Sequence, residues 1–144
     1  MKKIIIFIVV LLIIILSVIG VKYCSYKVEY DAIKQENAIY EKYKDTEISG
    51  LDVATLINKS VDKNEKNKIQ KNDKNEYIQD EENSIEVEVY MKNEDETYQI
   101  KMETIYDNGT EQFVQYCGNL MFKCSKMEYH KRTGKISYIL FEQI

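Results

Sequence analysis

The 144-residue chain has no proline and no tryptophan, one histidine, three cysteines and only five glycines. Each scarcity excludes something. With His130 alone and cysteines at 24, 117 and 124, no zinc-type ligand spacing can be assembled. No G-x-S-x-G or Cys/His signature is present. The glycines stand singly, so there is no Gly-rich loop to cradle a phosphate. A net charge of -4 and a pI near 5.2 leave no clustered basic surface of the kind nucleic acid requires. The reading is therefore non-enzymatic, with no cofactor implied. The missing Pro and Trp, beside heavy use of Ile, Lys, Asn, Glu and Tyr, match an AT-rich coding bias and point to a bacterial source.

What the chain does have is one long apolar run. Met1-Lys2-Lys3 is followed by Ile4 to Val21, broken only by Ser17 and Gly20 and free of any acid. At ~1.5 Å rise, about 18 residues span about 27 Å, close to the ~30 Å hydrocarbon core and longer than the ~7–15 residues of a signal-peptide apolar region. Length favours a retained signal-anchor over residues 1–21, with residues 4–21 in the lipid bilayer. Val18-Ile19-Gly20 resembles a small-x-small cleavage site, so a secreted form cut after Gly20 stays open. Val21-Lys22-Tyr23 lacks the small residue a lipobox places before its cysteine, which argues against lipidation at Cys24. Lys2 and Lys3 nearly balance Lys22 and Lys27 in positive-inside counting. The very short basic tail then sets the N-terminus in the cytoplasm and the C-terminal domain outside. A helix buried in a soluble core is excluded because no other segment is apolar enough to surround it.

The remaining residues read as one extracytoplasmic domain. Residues 22–62 are helical. Val28, Ala32, Ile39 and Tyr43 form a stripe, with Ile33 and Tyr40 beside it, and this helix is expected to run to about Glu47. Tyr23 and Tyr26 suit the headgroup layer. A second helix starts at Ser49, where Asp52 completes a capping box and Ile48 and Val53 occupy staple positions. Val53, Leu56, Ile57 and Val61 make its buried stripe, and fraying is expected from Asn64 to Lys68. Residues 63–84 read as a polar linker or solvated loop. Residues 85–144 carry period-two patterns. Ile85, Val87, Val89 and Met91 alternate with Glu86, Glu88 and Tyr90, which are placed on a solvated outer face. A turn at Asn93-Glu94-Asp95-Glu96 leads to Tyr98, Ile100 and Met102. Thr110 is expected to cap a short helix that ends at a left-handed Gly118. Leu120–His130 and Lys135–Phe141 pair across Lys131-Arg132-Thr133-Gly134, with a bulge near Ser125. The expected fold is α+β, with N-terminal helices packed on a four-stranded antiparallel meander.

Few residues invite chemistry. Cys117 and Cys124 lie close enough in sequence for a short-loop disulfide in an exported domain, worth about 2–3 kcal/mol, and two buried free thiols are an equal alternative. Cys24 is left over at the membrane surface, where it could bridge two copies. His130 reads as a polar residue flanking a turn. Asn58-Lys59-Ser60 and Asn108-Gly109-Thr110 match a glycosylation acceptor by accident in a bacterial product.

Two resemblances bear on the role. Tyr40-Glu41-Lys42-Tyr43 through Ile48-Ser49-Gly50-Leu51-Asp52-Val53-Ala54-Thr55-Leu56-Ile57, and more loosely Glu128-Tyr129-His130 through Gly134-Lys135-Ile136, resemble small signal-anchored extracytoplasmic proteins of AT-rich Gram-positive bacteria. That resemblance implies fold and location, and no activity. An apolar N-terminal helix running into an antiparallel sheet also resembles type IV pilin-like proteins. Those carry a Gly before the apolar helix and a Glu inside it, and this chain has neither. The expectation is a single-pass anchored protein of the cell envelope that binds an envelope partner or holds a place in an assembly. A pseudopilin-like component and a cleaved secreted protein are the alternatives.

Overall fold

A computed structural model describes residues 2–93 and 96–144. The middle pair of the expected turn, Glu94 and Asp95, lies outside the described residues, as does Met1. The chain divides into two compact units, residues 1–36 and 37–144.

The first unit is most of α1, Lys2–Glu41. Every residue from Ile4 to Val21 is exposed. The most apolar stretch of the helix has a mean hydropathy of 3.7, and α1 is the one helix among the described residues long and apolar enough to cross a membrane. Ser17 donates its hydroxyl to the Ile13 carbonyl at 2.8 Å, so its polar atom is satisfied within the helix, as an apolar medium demands.

The second unit opens on the last turn of α1, and the chain then leaves the helix at Glu41 instead of near Glu47. Backbone turns at Tyr43 and Lys44 and a left-handed Asp45 (φ 59°) end it. The next three residues form β1 (Glu47–Ser49). The capping box then forms as its spacing dictates. Ser49 Oγ accepts the Asp52 amide at 3.2 Å, and the Asp52 carboxylate accepts the Ser49 amide at 3.4 Å. It starts α2 (Gly50–Lys66), in which Val53, Leu56, Ile57 and Val61 are buried.

Five strands make one sheet: β1, β2 (Glu86–Asn93), β3 (Glu96–Lys101), β4 (Met121–Tyr129) and β5 (Ile136–Gln143), in the order β1-β4-β5-β2-β3. The antiparallel four-stranded meander is thus corrected to a mixed sheet. Both expected hairpins exist, but β2 and β5 join them in parallel, Val87 opposite Ile139 and Val89 opposite Phe141. Period-two alternation specifies the face of a strand and not its neighbour, so the sequence pattern did not carry this pairing. The edge strand β1 pairs Ile48 with Phe122 of β4. The β4–β5 register slips between Cys124 and Lys126, which leaves Ser125 as the bulged residue at the point where the apolar parity changes.

Two short helices, α3 (Met102–Asp107) and α4 (Thr110–Cys117), carry the chain from β3 to β4. Met102 opens α3 instead of ending a strand. Thr110 is the first helical residue, and the cap is Gly109 with φ 91°. Gly118 is right-handed (φ −57°), so it is not the left-handed cap its position suggested. Its use is close approach: a Cβ there would lie 2.4 Å from the Val114 carbonyl oxygen, and one on Gly50 would lie 2.0 Å from that of Cys117. Helices and inner sheet face share one core containing Leu56, Ile57, Val89, Met102, Phe122 and Phe141.

Candidate functional site

The starts of the two parallel strands lie side by side, and each is tied by one helix asparagine. Asn64 of α2 donates to the Ile85 carbonyl at 2.8 Å and accepts the Ile85 amide at 2.9 Å. Asn37 of α1 donates to the Gly134 carbonyl at 2.8 Å and accepts the Ile136 amide at 3.0 Å. A carboxamide offers one donor and one acceptor side by side, the same pair a neighbouring strand would present. Both asparagines are buried, so the expected fraying at Asn64 does not occur. The helix continues to Lys66, and Asn64 sits on the buried stripe one turn beyond Val61.

His130 belongs to the same region. It is buried, and its Nε2 lies 2.7 Å from the Ser84 carbonyl. A carbonyl can only accept, so Nε2 carries the hydrogen and that nitrogen is not a free base. His130 flanks the turn as expected, bonding Lys135 and Gly134 through its backbone, and it is also a buried link between the end of β4 and the segment before β2. Thr133 adds a hydroxyl bond to the Glu82 carbonyl at 2.9 Å, Lys135 reaches Asn83 Oδ1 at 2.6 Å, and Arg132 pairs with Glu82. Asp80 accepts the amides of Glu82, Asn83 and Ser84. Burial acts to raise its pKa, but these donors outweigh it and hold the carboxyl at about 2.

Against this buttressed end opens a cleft of about 470 Å³, bounded by residues 79–81, by Glu86, and by the β4–β5 hairpin with Tyr129 and Tyr138. Its size is that of a small-ligand site. Behind it stands Glu88, only 7% exposed, which accepts the Tyr138 hydroxyl at 2.5 Å. Glu88 was expected on a solvated face. It is buried because β2 is a central strand, with Lys101 of β3 on one side and Leu140 of β5 on the other. Burial and then the Glu88 carboxylate push the Tyr138 phenol well above its ordinary value. The Glu86 carboxyl is raised by burial and next by the charge of Glu88, while Lys101, 4.0 Å away, opposes the shift. Lys126 binds Glu128 at 2.7 Å and stands 5.4 Å over the Tyr138 ring. Tyr129 donates to Glu41 at 3.0 Å.

No known protein family, curated protein or solved structure matches this chain. The site is therefore judged on its geometry alone. It offers two tyrosine rings, carboxylates at 80, 81, 86 and 128, and the cations Lys131 and Arg132. Glu86 and Glu88 approach one another as a pair, yet the inner one is already spent on Tyr138. Among the described residues no group of three or more His, Cys, Asp or Glu is placed to hold a metal ion.

Neither Cys117 nor Cys124 lines the cleft. Cys117 and Cys124 are free thiols, half-buried and buried respectively, and Cys24 is free and exposed on α1. Burial raises the pKa of Cys117 and of Cys124. Sequence reasoning missed Asn37, Asn64, Ser84 and Asp80. For Asn64 the signal was present, since it continues the Ile57, Val61 spacing.

Proposed function

We propose that this protein is a single-pass, membrane-anchored binding protein, non-enzymatic, which holds its α+β domain outside the cytoplasmic membrane. The observation that carries the reading is α1, whose residues 4–21 are apolar and wholly exposed, an arrangement that water penalises by about 25 cal/mol per Å² of apolar surface and a bilayer does not. The cleft beside Tyr129 and Tyr138 is the ligand site of that domain. Its rings offer faces for stacking, and its charged groups of both signs suit a polar guest such as a peptide or glycan segment of the envelope.

The test is twofold. Carbonate-washed membranes should retain the chain, and protease added to intact cells should remove the domain. The binding reading is sunk if the purified full-length protein hydrolyses peptidoglycan, peptide or ester substrates and substitution of Glu86 abolishes that hydrolysis. A pseudopilin-like role is the second reading, favoured by the continuous 40-residue helix α1. It requires removal of a leader, so a cellular chain that begins at Met1 would exclude it.

A further inference from the structure

The strand β3 is an edge of the sheet, with no further strand beside it among the described residues. The direction of its backbone groups follows from one contact. The Lys92 amide is taken by Gln143 Oε1 of β5 at 3.0 Å, so even-numbered residues of β2 point their amides toward β5 and odd-numbered ones toward β3. The partners of Asn93, Met91 and Val89 are Glu96, Tyr98 and Ile100, and these bond back to β2. Thr97, Gln99 and Lys101 are left with amides directed outward, which is the template an added strand needs. The usual protections are missing. The chain has no proline, the β2–β3 register runs without a bulge, and the Lys101 ammonium is drawn aside to Glu76 at 3.3 Å.

Beside this edge lie a ring and a hollow. Tyr98 is 48% exposed although it shares the core side of the sheet. On the same side, Ile100 forms the rim of an apolar pocket of about 230 Å³, walled by Ile105, Phe113 and Tyr116. That volume is below the ~300–1,000 Å³ of most small-molecule sites and suits one aromatic side chain.

We propose that β3 is a self-association edge, on which a second copy of this chain pairs antiparallel about Gln99, with each Tyr98 entering the partner's Ile100 pocket. A two-fold axis through the sheet keeps the helices of both copies on one face, so paired residues must have the same parity. Centring on Gln99 places Tyr98 opposite Ile100 of the partner subunit and Thr97 opposite Lys101 of the partner subunit. Gln99 exchanges two backbone bonds with its counterpart, and each Lys101 amide reaches a Thr97 carbonyl. Tyr98 and Ile100 then form non-hydrogen-bonded pairs, in which cross-strand Cα atoms lie ~4.5 Å apart. An aromatic paired with a β-branched residue is a favourable cross-strand contact. Centring on Tyr98 instead would stack the two tyrosines, set Glu96 against Ile100 and leave both pockets empty. The contact is isologous, so it closes as a dimer and does not propagate.

The test uses the full-length chain in detergent micelles with Cys24→Ser as the parent. At a hydrogen-bonded antiparallel pair the Cα atoms stand ~5.5 Å apart, within disulfide reach. Mild oxidation should therefore cross-link Gln99→Cys into a homodimer. Thr97→Cys, which lies opposite residue 101 and not itself, should stay at the parent's level. Equal cross-linking of the two variants, Gln99→Cys at background, or a disulfide to a different protein would each overturn the proposal. Gln99→Pro gives a second reading. It removes an outward amide and no internal bond, so the circular dichroism and urea midpoint should hold while the dimer weakens roughly tenfold or more. Unchanged dimerisation in Gln99→Pro would place the association elsewhere and refute the edge.

Discussion

Replacing Asn64 with alanine strips the start of β2 of both its partners. Asn64 and Ile85 are each 0% exposed, so water cannot reach the Ile85 amide and carbonyl once the carboxamide is gone. A buried backbone group left unmade costs about 1–3 kcal/mol, and two such groups give roughly 2–6 kcal/mol before any relaxation. Against a typical domain stability of ~5–15 kcal/mol, that is a large loss from a residue that touches no ligand. The assay is urea unfolding of the full-length chain in mild detergent, followed by tyrosine fluorescence, to which residues 37–144 contribute nine of the twelve tyrosines. With a slope of about 2 kcal/mol per molar urea, the midpoint should fall by roughly 1–3 M. Asn64→Asp should fare no better at neutral pH, because a carboxylate accepts the amide but cannot donate to the carbonyl. A midpoint for Asn64→Ala within about 0.3 M of the parent, at unchanged slope, would refute the assignment of Asn64 as the tie between α2 and β2.

Further predictions concern the same domain. Gly50→Ala should destabilise by about 2 kcal/mol or more in the same titration, since its Cβ would meet a backbone oxygen at 2.0 Å that cannot move without shifting α4. Tyr77→Phe should be neutral or slightly stabilising, because the Tyr77 hydroxyl is buried with no partner among the described residues and removing it ends an unpaid desolvation. The Asp80 carboxyl sits at about 2, below its ordinary 3.8. A depressed carboxylate stabilises fully above its unfolded value, so its contribution should fade as pH falls from about 4 toward 2, and Asp80→Asn should flatten that part of the pH–stability curve. Because Asp80 is largely exposed, the effect should be about 1 kcal/mol. Denaturation without reductant should expose three titratable thiols per chain. In the native protein Cys24 should react with a maleimide first, Cys117 slowly and Cys124 least, following their exposure.

Local rules were legible in the residues themselves. The Ser49–Asp52 box, the stripe from Val53 to Val61, the β4–β5 hairpin and the slip at Ser125 each depend on neighbours within a few positions. The rest depends on partners far along the chain. Nothing near Val87 announces Ile139 beside it, and nothing near Glu88 announces the Tyr138 hydroxyl that lets a carboxylate be buried. β1 was too short for any period to register, and α3 was hidden because Met102 continues the alternation of Tyr98 and Ile100, which leaves only Ile105, three residues on, to mark the helical spacing. The cleft shared this fate. Its walls come from residues 79–81, from the start of β2 and from the β4–β5 hairpin, and only the parallel pairing brings them together.

The central claim is that α1 holds the domain outside the membrane, and Cys24, exposed on α1 just past its apolar stretch, is a native reporter of it. A membrane-impermeant maleimide applied to intact cells should label Cys24. The labelled chain should remain in carbonate-washed membranes with residues 2–20 intact by mass. Labelling only after lysis would contradict the orientation, and labelled protein free in the medium with Val21 at its terminus would contradict the anchor.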